Sequence, residues 1–135
     1  VSSPEREPDE VSEILARKAN GDAKVLRLLA PNGEIGDDAV GFHAQQAIEK
    51  WLKAVIASRG EDFEFTHDLH RLVMLASNGT GELPFDVDLV LTLTQYAVPL
   101  RYEDLLDAQA LDRDATATLV EEVGLWAEAE LSAAG

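Results

Sequence analysis

Between Asp37 and Arg59 the apolar residues recur at intervals of three and four, not two. At about 100° per residue, Val40, Ala44, Ala47, Ile48, Trp51, Leu52 and Val55 fall on one arc of a helix. His43, Gln46, Lys50 and Lys53 fall on the opposite arc. The spacing predicts one long helix with a broad buried stripe, a strut around which the other helices pack. Asp37 or Asp38 is placed to cap its start, and Gly60 to close its end in the left-handed region. Phe42 breaks the pattern by landing on the polar arc. A ring exposed there is costly, so another helix or a second subunit is expected to cover it.

The same reading places a first helix over about Asp9 to Ala30, with Val11, Ile14, Leu15, Val25, Leu26 and Leu29 on one face. Lys18 and Asp22 interrupt that face at i,i+4. They form an internal ion pair, or escape as long side chains at the core edge, or make a polar notch in an otherwise apolar seam. Gly21 beside them weakens the helix by about 1 kcal/mol against Ala, which suits a bend or a close approach. The stretch Gly60 to Thr66 reads as short extended chain whose Phe63 and Phe65 rings can tuck under the bundle. Thr66 is expected to cap a third helix that buries Leu69, Leu72, Val73 and Ala76. A fourth helix is expected from Val87 to Leu100, kinked by Pro99 or stopping near Ala97. The last runs from about Asp112 to Leu131, capped by Asp112 or Asp114, with Ala115, Leu119, Val123, Trp126, Ala127 and Leu131 inward. With five helical segments and no strand pattern, the expected fold is all-α. It is an up-and-down antiparallel bundle of four long helices plus a short one. One domain over residues 9–131 is expected, with a disordered lead at 1–8 and a frayed tail at 132–135.

Charge narrows the function classes. The formal net charge is −15, which argues against direct binding to a nucleic-acid backbone, since that needs clustered Lys and Arg. From Tyr102 to Gly135 there are nine acids and one base, Arg113. The acidic excess serves solubility, or repels nucleic acid, or meets a basic partner protein. Lys50, Lys53, Arg59, Arg71 and Arg101 are the cations placed to face a phosphate. There is no cysteine, hence no disulfide and no thiolate metal site. No apolar run approaches the length of a membrane span, and the acidic start is unlike a secretory signal, so the expected location is cytoplasmic. His43, His67 and His70 lack HExxH spacing and thiolate company, and neither a metal nor another cofactor is expected. His67 is expected to pack or hydrogen-bond at a helix start, and His70 to be exposed. The pairs Glu61/Asp62, Glu103/Asp104 and Glu121/Glu122 read as solvated surface, and no phosphate loop or GxSxG is present.

Three blocks carry a resemblance: FHAQQAIEKWLKAVIASRG from Phe42, THDL from Thr66, and YAVPLRYED from Tyr96. In this order and spacing they resemble the HEPN domain family, over roughly Asp9 to Leu131. The resemblance implies a bundle of four long helices plus a short one, usually a homodimer, in a bacterium or archaeon. It also implies nucleotide binding and a partner of the minimal nucleotidyltransferase type, often as a toxin–antitoxin module. Many RNA-cleaving members share an Arg followed by four to six intervening residues and then His. Here Leu106, Asp107 and Ala108 stand where that His falls after Arg101. The missing imidazole removes the general acid or base that metal-independent RNA cleavage needs. The expected role is therefore a non-catalytic nucleotide-binding or interaction partner. The alternative is an RNase toxin with a divergent site around Arg101 and Tyr102. Under the resemblance His43, Gln46 and Lys50 line a polar groove, Arg101 and Tyr102 close it or meet the dimer seam, and Asp22 supplies the acid of the first helix. Phe42 is the residue expected at the dimer interface.

Overall fold

The computed structural model describes residues 8–97 and 110–134. Over these residues the chain is an all-α bundle with no strand: α1 (Pro8–Leu29), α2 (Asp37–Ser58), α3 (Leu69–Ala76), α4 (Val87–Thr92) and α5 (Arg113–Ala134). A short 3-10 turn, Leu93–Tyr96, continues α4.

The central strut is α2. Val40, Ala44, Ala47, Ile48, Trp51, Leu52 and Val55 are all buried, as their common arc predicts. Burial then spreads around the whole circumference from Trp51 to Ala57, because α1, α3, α5 and the 3-10 turn all pack on this helix. Each fully buried Leu or Ile there contributes about 1.5–3 kcal/mol. Two glycines set how closely the neighbours come. A Cβ on Gly41 would stand 2.5 Å from the Tyr96 ring, and one on Gly124 would stand 2.8 Å from the Trp51 indole.

Along α1 the buried stripe differs from the predicted one. Ser12, Ala16, Ala19, Ala23 and Leu26 face the core, while Val11, Ile14, Leu15, Val25 and Leu29 are half-buried. Small side chains at alternating spacings of four and three let α1 lie close against α2, and this is the most extensive helix pairing in the bundle. The larger aliphatic residues flank the seam instead of filling it.

Capping also departs from expectation. Gly36, with no side-chain bond, caps α2. Asp37 turns outward to the Leu111 N–H at 2.9 Å and to Arg113 Nε at 3.0 Å. α3 starts at Leu69 because the Asp68 carboxylate accepts from the His70 and Arg71 N–H groups; Thr66 Oγ1 accepts from the Asp68 N–H one step earlier. Asp86 caps α4 by accepting from the Leu89 N–H, and Asp112 serves α5 by accepting from the Ala115 N–H. Gly60 is left-handed, at φ 75°, as predicted for the end of α2. The α-helical part of α4 ends at Thr92; Pro99 and the predicted kink lie outside the described residues.

Candidate functional site

Asp22 is the polar notch of α1, and its partners come from α2. Its carboxylate accepts from Lys50 Nζ at 2.5 Å through one oxygen and meets His43 Nδ1 at 3.1 Å through the other. Of the alternatives for Lys18 and Asp22, the internal pair does not form: Lys18 is exposed, and the two α2 residues reach Asp22 across the seam. Close packing of the alanine stripe makes this crossing short. His43 and Lys50 are seven residues apart, two turns of helix, so one carboxylate spans both. The side chains are partly open, with 15% of Asp22, 27% of His43 and 24% of Lys50 exposed.

The chemistry left free is specific. An ammonium carries three N–H donors, and Asp22 takes one from Lys50. With Nδ1 turned to Asp22, Nε2 is the His43 ring nitrogen left for a further hydrogen bond. Phe42 stands beside it, edge-on to His43 at 5.3 Å between centroids and 39% exposed, so the described helices do not cover it. Gln46 lies on the same face one turn away, half-buried, donating to Gln45 Oε1 at 2.7 Å. Thus the structure brings Asp22, His43 and Lys50 into contact and places Phe42 and Gln46 beside them. Arg101 and Tyr102 lie outside the described residues.

A second polar cluster went unread in the sequence. Glu49, buried in α2, accepts from Gln45 Nε2 at 2.8 Å, from Lys53 Nζ at 3.1 Å and from His67 Nδ1 at 2.9 Å. Burial pushes the Glu49 carboxyl upward, but the bonds from His67, Gln45 and Lys53 outweigh it and hold the group below the usual glutamate value. The i,i+4 ladder Gln45–Glu49–Lys53 was visible as a spacing, yet its burial came from α3 and the preceding loop, which no local pattern reveals. His67 does bond at the approach to α3, as expected, and His70 is exposed.

Pairing of the candidate cations limits what they can hold. Lys53 bonds Glu49, Arg59 reaches Glu130 and the Ala76 carbonyl, and Arg71 forms a two-pronged pair with Glu64. Among the described residues no three His, Asp or Glu side chains converge as a metal set, and no helix is long and apolar enough to cross a membrane.

The HEPN domain family model matches residues 12–128, a span that includes Asp22, His43 and Lys50. No curated protein and no solved structure matches the chain. With the match covering most of its length and the helical bundle in accord, this chain belongs to the HEPN domain family.

Proposed function

We propose that this HEPN domain is a non-catalytic nucleotide-binding protein that partners a minimal nucleotidyltransferase, and that Asp22, His43 and Lys50 recognise the nucleotide. One observation carries the reading: a single carboxylate holds both an ammonium and an imidazole in fixed, partly open positions at the α1–α2 seam. The remaining Lys50 donors suit a phosphate oxygen. His43 Nε2 suits a sugar hydroxyl, and Asp22 orients both groups. Preorganised donors of this kind lower the ordering cost of binding. The non-catalytic part of the reading rests on the absence of a His at positions 106–108 after Arg101. The partner and the toxin–antitoxin setting rest on the family resemblance.

Calorimetric titration with ATP and GTP tests the ligand. Binding with a Kd below about 1 mM is expected, weakened tenfold or more by Lys50→Ala. No heat at millimolar nucleotide overturns the reading. Purified protein that cleaves RNA, with the activity lost in Arg101→Ala, overturns the non-catalytic part. We assign Phe42 to the seam between two copies. Light scattering is expected to show a dimer at tens of micromolar, shifted toward monomer by Phe42→Ser; a strict wild-type monomer contradicts that assignment.

A further inference from the structure

The geometry points to a protein-docking surface on the loop between α2 and α3, built to take an apolar side chain flanked by Lys or Arg from a partner polypeptide. Phe65 is 82% exposed, the most open of the large apolar side chains among the described residues. The sequence allowed both rings of this loop to tuck under the bundle; only Phe63 does so, half-buried, with Phe65 edge-on to it at 5.5 Å. The backbone is the reason. Glu64 and Phe65 both sit in the left-handed region, at φ 60° and 50°, which non-glycine residues seldom adopt.

That conformation is fixed from every side. Phe63 lies under Lys53 Nζ, 5.4 Å from its centroid. The Glu64 N–H donates to Asp62 Oδ1 at 2.7 Å. The Glu64 carboxylate grips Arg71 through Nε at 3.1 Å and Nη2 at 2.7 Å. His67 is tied to buried Glu49. A strained turn held by so many ties presents its side chain deliberately rather than hiding it.

Beside Phe65 lies an open groove of about 330 Å³, lined by Val11, Ala57, Phe63 and Phe65 and edged by Glu61 and Asp62. Its volume is ample for one Leu or aromatic side chain. Charge selects the occupant. Glu61 and Asp62 are both exposed, and the chain carries −15. Cationic flanks gain from the edge, whereas an anionic membrane is repelled by it. A basic polypeptide segment with one apolar anchor satisfies wall and edge together. The surface involves none of Asp22, His43 or Lys50 and stands apart from the nucleotide reading.

The test uses synthetic peptides in which one Leu or Trp is flanked on each side by two Lys. The controls replace the apolar residue by Gly or the flanks by Glu. Amide resonances of the full chain are followed by NMR. Shifts confined to Val11, Ala57 and residues 60–68 are expected, with Kd near about 1 mM or tighter. Phe65→Ser, at an exposed position, is expected to weaken binding at least tenfold, and Glu61→Lys several-fold. Equal binding of the Gly control, shifts spread over acidic residues elsewhere, or no shift with any peptide would overturn the proposal. So would light scattering that shows Phe65 mediating self-association, since the occupant would then be a second copy.

Discussion

At the scale of single residues, the bundle depends on places where a side chain is missing as much as on those present. Gly124 lets the Trp51 indole come close against α5. Gly124→Ala forces a Cβ to 2.8 Å from the Trp51 ring, closer than real Cβ contacts come, so the ring or α5 must shift. Chemical denaturation is expected to show a loss of about 1–3 kcal/mol, as overpacking typically costs; a neutral substitution would show that α5 can shift freely. Glu49 is the other residue on which local order turns. Glu49→Ala leaves Lys53 buried without its acid, an expected loss of about 3–5 kcal/mol. Its pH dependence has a definite sign. The folded-state pKa is lowered, so the unfolded chain binds the proton more readily. The stabilisation is complete above the ordinary glutamate value of about 4.3 and is lost as pH falls through the folded value. Unfolding followed between pH 6 and 3 should therefore be less pH-dependent in Glu49→Gln than in the wild type. An unchanged slope would show that Glu49 does not carry it. Asp37, lowered first by the Leu111 N–H and then by Arg113 against a partial burial cost, adds a slope of the same sign.

At the scale of elements, the helices were legible where apolar residues are large and were misplaced where they are small. The arc of α2 and the buried residues of α3 follow directly from large aliphatic residues at helical spacing. On α1 the same rule chose Val11, Ile14, Leu15 and Val25, yet the seam is built from Ala16, Ala19 and Ala23. Alanine suits every helix position, so its spacing gives little signal until a close neighbour is known. Asp22 was legible as a notch, but its partners were assigned along α1 instead of across to α2. Arg113 was counted only as a lone base in an acidic stretch. It joins the start of α5 to the end of α1, donating to the carbonyls of Leu29, Ala30, Asn32 and Ile35 and pairing with Asp37. Those carbonyls lie at a helix end and the turn beyond it, where Leu29 and Asn32 also accept from the Asn32 and Ile35 N–H groups. Arg113→Lys keeps the charge and loses the fork, so a loss of about 1–3 kcal/mol is expected from its several charge-assisted bonds. Hydrogen exchange should rise first at residues 29–37; unchanged protection there would contradict this role.

At the scale of the whole molecule, the net charge is −15 and Lys53, Arg59 and Arg71 are paired, while Arg17, Lys18, Lys24 and Arg27 are exposed cations along α1. The proposed site is a local device within this distribution: two groups on α2, set by one acid on α1. Ligand binding to the folded state raises its stability in proportion to occupancy, so unfolding reports directly on this device. The decisive measurement is the rise in unfolding midpoint produced by millimolar ATP or GTP, compared between the wild type and Lys50→Ala. A clear rise in the wild type that disappears in the variant is the predicted result. An equal rise in both proteins, or none in either, would contradict the assignment of Asp22, His43 and Lys50 as the nucleotide site.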